Sequence, residues 1–368
     1  MKYDLSQHPY FTAWRDPESN VTSYILTERV APVQENFYFT FECMSADGEL
    51  LWFQATHPPG GGRSLAVVGL NPEAPFIRHW PNAGAGQGAL TPDGRGCYVC
   101  LDNEIWLWRV DEEPQRVSVL DAKWINHRAF SGLRGITLSA DHRLLLVHGK
   151  IGVHWFVGVG DLETGEVTIL KEFGAHHNHT QFHPAIPNLF LIAEDWWHDP
   201  VSGQHFPYDH RTWIMDVEQP LYQPVTPKLW VGHGFRPSHE WWSGDGWLCW
   251  NDYATGCFEW HLEAQEIIQT WEGPKCHAHC SNDRQLWVAD ESPYKWKDKP
   301  CQILFYDRRN DKQYTIASAM PYPKIRRKYQ VDTDPHPRFG PDDSCISYTT
   351  SVLGDTDLAI TRVEDILE

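Results

Sequence analysis

Short runs of alternating apolar and polar residues follow one another along the chain, separated by turns rich in Gly, Pro and Asp. One turn recurs ahead of an apolar run, as in MSADGELLWFQA and LTPDGRGCYVCLD. Alternation with a period of two is typical of half-buried strands, and helical heptads are absent from the sequence. The pattern therefore predicts an all-β chain built from many short strands.

The recurring turn marks an internal repeat. Its copies lie on average about 49 residues apart, a period typical of the four-stranded blades of a β-propeller. The turn residues of the successive copies are Asp47, Asp93, Asp141, Ala185, Asp245, Asp283 and Asp342. Four strands in each of seven copies account for nearly the whole chain. The sequence thus predicts a single seven-bladed β-propeller domain over residues 1–368.

The last copy of the repeat ends after three strands. The N-terminal segment TSYILTER, residues 22–29, has strand character and precedes the first complete copy. An exposed sheet edge promotes aggregation. We therefore expect residues 22–29 to supply the outer strand of the last blade and to close the ring.

Charge and hydropathy narrow the range of partners. The chain has 31 Lys and Arg against 49 Asp and Glu, a formal net charge of −18. Such a charge disfavours binding to nucleic acid and to anionic membranes. No run approaches the roughly 18 apolar residues of a membrane span, and the N-terminus lacks the apolar core of a signal peptide. We expect a soluble, cytoplasmic protein, with its oligomeric state left open.

Nine cysteines, an odd number, are scattered through the chain and favour reduced thiols. Cys97 and Cys100 lie three apart on a predicted strand, where their side chains point to opposite faces, so they are predicted to be core thiols. The run CHAHC, residues 276–280, suggests a zinc site as an alternative. On a strand, however, its two thiols do not reach one metal ion with useful geometry.

The first strand of each propeller blade lines the central channel. The residues six positions before each turn therefore meet in one ring. They are Phe41, Gln87, Gly135, His179, His239, His277 and His336. Histidine occupies this position in four consecutive copies. One interpretation of the ring is a hydrated polar channel. The other is a site for metal binding and acid–base chemistry, because imidazole is a common metal ligand and also exchanges a proton near neutral pH.

Other polar residues lie near the same end of the channel. Gln330, Asp334 and His336 come from one segment, and together with His277 they supply nitrogen and oxygen ligands suited to Mn²⁺ or a similar divalent cation. The basic segment KIRRK around Arg326 would attract an anionic ligand or is a solvated loop. The long segment at residues 194–213 could cover the channel.

Several motifs, in the same order along the chain, resemble the oligogalacturonate lyases, metal-dependent seven-bladed propellers that cleave short pectin fragments. They are ENFYF (35–39), the H-x-x-F-x-P forms at His179 and His336, DHRTW (209–213), SHEWW (238–242) and DPHPRFGPDD (334–343). The resemblance implies a lyase that acts on an acidic oligosaccharide by β-elimination.

The resemblance also implies residue roles. His239 would be the general base and Arg211 the active-site arginine, while His277, Gln330 and His336 would bind Mn²⁺. The family usually has His where this chain has Asp334, which replaces an imidazole by a carboxylate. The predicted substrate-binding residues are His179, Trp242 and Arg326. For each tryptophan near the site, Trp242 included, packing in the core is the alternative to stacking on a sugar.

Two further functions remain open at this stage. One is a lyase for another uronic acid, such as a glucuronate-containing oligosaccharide. The other is a propeller that binds a partner without chemistry, since the fold alone does not determine function. An elimination creates a conjugated double bond that absorbs in the ultraviolet, whereas binding does not, so absorbance separates the two classes.

Overall fold

The computed structural model describes residues 1–59, 62–84, 87–199, 201–219, 221–225, 237–291, 300–322 and 333–368. Nearly all the regular structure in these residues is β-strand. The exceptions are a 3₁₀ turn at Leu5–Gln7 and two short α-helices, α1 at Ala122–Ile125 and α2 at Val363–Leu367. The prediction of an all-β chain is confirmed.

Strands of two to nine residues follow one another along the described chain. In order they are β1 (Phe11–Arg15), β2 (Thr22–Leu26), β3 (Val33–Glu35), β4 (Leu50–Thr56), β5 (Arg63–Gly69), β6 (Ile77–Trp80), β7 (Ala89–Leu90), β8 (Gly96–Leu101), β9 (Glu104–Arg109), β10 (Gln115–Leu120), β11 (Arg134–Leu138), β12 (Leu144–Ile151), β13 (His154–Asp161), β14 (Glu166–Phe173), β15 (His177–Phe182), β16 (Leu189–Glu194), β17 (Trp197–His198), β18 (His205–Phe206), β19 (Thr212–Asp216), β20 (Tyr222–Pro224), β21 (Pro237–Trp242), β22 (Leu248–Asp252), β23 (Gly256–Trp260), β24 (Ile267–Glu272), β25 (Ala278–Cys280), β26 (Leu286–Asp290), β27 (Cys301–Asp307), β28 (Lys312–Met320), β29 (Arg338–Phe339), β30 (Cys345–Thr350) and β31 (Asp357–Arg362).

Antiparallel sheets of four strands are the repeating unit. Four such sheets have the orders β3-β4-β5-β6, β15-β16-β19-β20, β21-β22-β23-β24 and β25-β26-β27-β28. A sheet of eight strands contains β7 to β10 and β11 to β14, joined by a short parallel pairing of β10 with β14. First strands of neighbouring units contact each other; for example, β11 contacts β15, and β15 contacts β21. The arrangement is therefore propeller-like.

The N-terminal strands belong to the same sheet as the last strands of the chain. Its order is β1-β2-β31-β30-β29, with Ser23 opposite Thr361 and Ile25 opposite Ala359. The Ser23 hydroxyl also lies 2.7 Å from that of Thr361 and 2.8 Å from that of Tyr348. Residues 22–26 thus lie where the sequence predicted an N-terminal strand. The additional strand β1, which covers the edge of β2, was not predicted.

The recurring turn has a common hydrogen-bond pattern, which explains the repeat in the sequence. In the first copy the Ser45 hydroxyl donates to the Asp47 carboxylate and accepts from the backbone N–H of Leu50. Equivalent pairs are Thr91 with Asp93, Ser139 with Asp141, Ser243 with Asp245 and Ser281 with Asp283. These side chains satisfy backbone donors that the turn leaves unpaired. The same turn therefore joins the first and second strands of these five units.

The apolar core lies between neighbouring sheets. Trp52, Trp241, Trp250 and Trp287 are among the largest fully buried side chains, so tryptophan fills much of the space between units. All nine cysteines are buried, and none of them forms a disulfide. Burial raises the pKa of Cys43 to about 11 and that of Cys100 to about 12. These two thiols are therefore protonated, and the burial of Cys100 agrees with the core position predicted for it.

Among the described residues, no helix combines the length and apolar character that crossing a membrane requires.

Candidate active site

Four of the seven predicted ring positions share an unusual backbone conformation. The residues Gly135, His179, His239 and His336 have φ values of 65°, 53°, 52° and 45°. In β11, β15 and β21 the strand register shifts at this point. A bulge with a left-handed residue redirects a side chain and is costly for a residue other than glycine. Its recurrence at one register shows that His179, His239 and His336 are positioned by the fold rather than by chance.

The four histidines converge on the ring of Tyr38. The centroid of Tyr38 lies 5.6 Å from His179, 6.3 Å from His239, 5.9 Å from His277 and 4.9 Å from His336. The predicted convergence of these histidines is therefore confirmed. Burial raises the pKa of Tyr38 well above its usual value, so the phenol stays protonated.

Tyr38 was missed in the sequence because it lies outside the ring register. Its backbone N–H donates to the Gln87 side chain at 3.0 Å, and its ring centroid lies 6.5 Å from that of Phe41. Gln87 and Phe41 are themselves ring positions. The available signal was the aromatic cluster ENFYF ahead of the first turn.

The hydrogen bonds of His239 define its tautomer. Nδ1–H donates to the backbone carbonyl of Cys276 at 2.6 Å, which leaves Nε2 with its lone pair. Nε2 accepts from the Tyr253 hydroxyl at 3.0 Å, and that hydroxyl accepts from Ser238 at 3.2 Å. Burial, reinforced by the neighbouring His277, lowers the pKa of His239 well below its usual value. His239 is thus a neutral imidazole with a defined basic nitrogen.

His277 is held by Asp290, a residue that sequence analysis did not identify. Nδ1–H of His277 donates to one carboxylate oxygen at 2.8 Å, and its backbone N–H donates to the other at 2.7 Å. The Asp290 side chain is fully buried. A carboxylate that accepts from one imidazole nitrogen orients the other for a metal ion. The bond to Asp290 therefore makes Nε2 the nitrogen of His277 that could bind a metal ion.

Ligand atoms of His277, Asp334 and His336 all lie within 4.8 Å of one another. The ring centroids of His277 and His336 are 4.3 Å apart and nearly perpendicular, at 75°. Two imidazoles and a carboxylate form a donor set suited to a divalent cation such as Mn²⁺. These residues therefore fit the predicted metal site.

The position of Cys280, the second thiol of CHAHC, does not support the alternative zinc site. Cys276 Sγ lies within reach of His239 and His277. Cys280 Sγ instead accepts from the Trp241 indole at 3.4 Å, in the apolar core. The two thiols therefore have different surroundings, as expected for a strand.

Arg211 is buried in a network of two carboxylates. Its Nε lies 3.2 Å from Glu240 and its Nη1 lies 2.9 Å from Asp195, while only 3% of the side chain is exposed. A Glu240 oxygen also lies 3.1 Å from His179 Nδ1. Burial alone would raise the pKa of Glu240, but Arg211 and His179 outweigh it and hold the pKa well below its usual range. Glu240 is another residue that was missed.

Comparison with known proteins finds two related lyases, one of which matches nearly the whole chain. The oligogalacturonate lyase of Dickeya dadantii (strain 3937) is 24% identical over 362 residues, covering 89% of this chain and 90% of the relative. The oligogalacturonide lyase of Pectobacterium atrosepticum is 22% identical over 222 residues, covering 56% of this chain and 54% of the relative. The resemblance to the oligogalacturonate lyase family is confirmed. No family model matches the chain.

Solved structures of lyases with the same name share the fold. An oligogalacturonate lyase in complex with manganese has a TM-score of 0.77 at 20% identity and covers 97% of both chains. The oligogalacturonate lyase from Vibrio parahaemolyticus also has a TM-score of 0.77, at 18% identity, and covers 96% of both chains. The propeller-like architecture is thus that of solved oligogalacturonate lyases.

Of the remaining predicted site residues, Trp242 lies outside the ring. Trp242 is 9% exposed, packs in an apolar cluster with Trp250, and donates its indole N–H to the Gln181 carbonyl. This packing agrees with the core alternative for that tryptophan. Gln330 and Arg326, predicted as metal ligand and substrate contact, lie outside the described residues.

Proposed function

We propose that the protein is a metal-dependent lyase that cleaves short uronate-containing oligosaccharides, of the oligogalacturonate type, by β-elimination. One observation carries the proposal. The neutral ring of His239 stacks on that of His277, with centroids 4.3 Å apart at an interplanar angle of 12°. A candidate base therefore lies directly beside a candidate cation site. The names of the related lyases support the same chemistry.

β-Elimination removes the proton on C5, next to the uronate carboxylate, breaks the bond from C4 to its oxygen and forms a C4–C5 double bond, while the leaving oxygen takes a proton from water. A divalent cation bound beside the carboxylate would stabilise the negative charge that develops there. His239 Nε2 takes the proton, and the Cys276 carbonyl stabilises the resulting imidazolium through Nδ1–H. The Tyr253 hydroxyl, which donates to Nε2 in the free protein, gives up this bond as the substrate approaches.

The proposed cation site is His277, Gln330, Asp334 and His336, with Mn²⁺ as the preferred ion. Support comes from the close approach of three of these residues and from the bond between His277 and Asp290. Asp334 brings a negative charge that a histidine would not, and oxygen ligands suit Mn²⁺.

Arg211 is proposed to act within the active site through its partners. Two carboxylates already neutralise it, so a direct grip on the substrate would have to compete with Glu240 and Asp195. Its pairing with Glu240 places a carboxylate oxygen beside His179. We propose that Arg211 thereby orients His179, which contacts the substrate on the side of the ring opposite His277.

The fold proposed for residues 1–368 is a single closed ring of seven blades. The eight-stranded sheet divides into two halves of four strands, which brings the number of four-stranded units to seven when β2 is counted with β29, β30 and β31. The pairing of β2 with β31 would then close the ring.

An absorbance assay tests the function. The full-length protein is mixed with digalacturonate and trigalacturonate in the presence of Mn²⁺, with and without chelator, and a glucuronate-containing disaccharide is run in parallel. We expect an ultraviolet-absorbing unsaturated product from the galacturonates only with metal. Product from the glucuronate substrate alone would reassign the uronic acid, and binding without product from either would overturn the lyase.

A further inference from the structure

A cavity of about 560 Å³ adjoins the four-histidine ring on the side of His179. Tyr38 and His179 line both the cavity and the ring. Its volume lies within the range typical of small-ligand pockets. Among the described residues, the proposed metal ligands His277, Asp334 and His336 are not part of its lining. The cavity is therefore continuous with the proposed site of chemistry but separate from the cation site.

Glycine at one ring position makes room for a histidine that lines this cavity. A Cβ on Gly135 would lie 2.1 Å from Cε1 of His148, an impossible contact. The His148 ring takes that space and donates from Nδ1 to the Thr180 hydroxyl at 2.9 Å, since that hydroxyl donates to the Gly135 carbonyl. Nε2 of the neutral ring keeps its lone pair, which suits a sugar hydroxyl.

Two cations share one face of the sheet at this cavity. Arg134 pairs with His148 across β11 and β12, and Lys150 follows His148 by two residues, so all three side chains point to the same face. Lys150 Nζ lies 4.3 Å from the centroid of Trp155. All three of these side chains and Trp155 line the cavity.

Neither cation has a carboxylate within ion-pair distance among the described residues. Most of the arginines that the structure describes have a carboxylate within that distance, including Arg211 and the exposed Arg143. The bond recorded for the Arg134 guanidinium is to the Ser131 carbonyl at 3.3 Å. In a chain with a net charge of −18, two unneutralised cations facing one cavity favour an anionic ligand.

We propose that the cavity binds a second uronate unit of the substrate, whose carboxylate is held by Arg134 and Lys150. This inference rests on the proposed function, because the unit undergoing elimination occupies the adjoining ring. It makes the preferred substrate an oligosaccharide with a carboxylate on each of two neighbouring sugars. A disaccharide with only one carboxylate fills the ring but leaves both cations without a partner.

Binding to the full-length protein loaded with Mn²⁺ tests this assignment. His239→Ala is used as the background to prevent cleavage, and titration calorimetry compares digalacturonate with its analogue methyl-esterified on the unit that is not eliminated. We expect R134Q and K150Q each to weaken digalacturonate binding by about 10- to 100-fold, the range for a charge-assisted bond. The ester analogue should bind all variants equally.

Controls separate the subsite from general effects of charge and folding. R143Q removes a positive charge whose partner is Glu163, outside the cavity lining, and should bind digalacturonate like the background protein. K150R keeps the charge and should retain most of the affinity. Equal binding of digalacturonate by R134Q, K150Q and their background would overturn the subsite while leaving the lyase intact. Absence of both binding and elimination by the parent protein with any uronide would overturn both proposals.

Discussion

Asp290 binds His277 through both carboxylate oxygens, one to the imidazole Nδ1–H and the other to the backbone N–H. The two bonds fix both the ring orientation and the tautomer. Since the aspartate is buried and lies outside the three-residue ligand cluster, the proposed metal site would feel its hydrogen bonds through His277. This relationship makes the metal site testable without altering a ligand.

We expect Asp290→Asn to weaken Mn²⁺ binding by about 10- to 100-fold, the usual effect of losing a carboxylate behind a histidine ligand. Metal affinity is measured by calorimetry on the apo protein. Asp307→Asn is the matched control, because Asp307 is also a buried aspartate at a strand end but pairs with Arg309. Unchanged affinity in Asp290→Asn would exclude His277 as an Nε2 ligand.

Asp334→His tests the unusual carboxylate of the proposed site. The substitution restores the imidazole that the family usually has, so we expect metal binding to persist. Asp334→Ala, which supplies no ligand atom, should lower metal content. Elemental analysis after dialysis measures the metal content of both variants. Full metal content in Asp334→Ala would show that Asp334 is not a ligand.

His239→Ala should lower turnover by about 10² to 10⁴, the range for loss of a general base, without changing metal content. A metal-bound imidazole has its lone pair engaged, whereas His239 Nε2 accepts a hydrogen bond from Tyr253 that substrate can replace. Turnover is measured by absorbance with saturating Mn²⁺. If His239→Ala turns over near the parental rate, His179 is the next candidate.

Glu240→Gln should destabilise the protein by about 3 to 5 kcal/mol, because Arg211 loses one of the two carboxylates that neutralise it in the interior. The pKa of Glu240 is lowered in the folded state, so its contribution is present above the unfolded pKa of about 4.3 and declines as pH falls toward the folded pKa. Thermal melts between pH 3 and pH 7 check this prediction. The stability gap between parent and variant should narrow at low pH, and a constant gap would contradict it.

The repeat in the sequence was sufficient to place the four histidines together. The hydroxyl–carboxylate turn occurs at the same point of successive units, so counting back from Asp245 and Asp283 reaches His239 and His277, whose rings stack. The same logic could not find Tyr38, which reaches the ring from a segment outside any described strand. A register identifies only residues that repeat.

Glu240 and Asp290 could not be predicted from the sequence because their positions depend on local geometry. Regular alternation would turn Glu240 away from the face that carries His239. The register shift between Ser238 and Trp241 breaks this alternation, and a bulge of this kind leaves no mark in the amino-acid pattern. In the sequence, Asp290 resembles any polar residue at the end of an apolar strand. Its bond to His277 forms only when β26, which ends at Asp290, pairs with β25, which follows His277.

Deleting residues 1–27 tests the pairing that would close the ring. The deletion removes β1 and β2, exposes the backbone donors and acceptors of β31, and removes the Ser23 hydroxyl from Tyr348 and Thr361. An uncovered strand edge offers a template for pairing with other chains. We expect the truncated protein to aggregate and to lose its cooperative melting transition, as followed by light scattering and circular dichroism. Deleting residues 1–10 is the control, since it leaves both strands intact and should preserve a monodisperse protein with parental β-sheet content. A soluble 1–27 deletion with a parental melting curve would show that the β2–β31 pairing is dispensable and that the ring is held closed by other contacts.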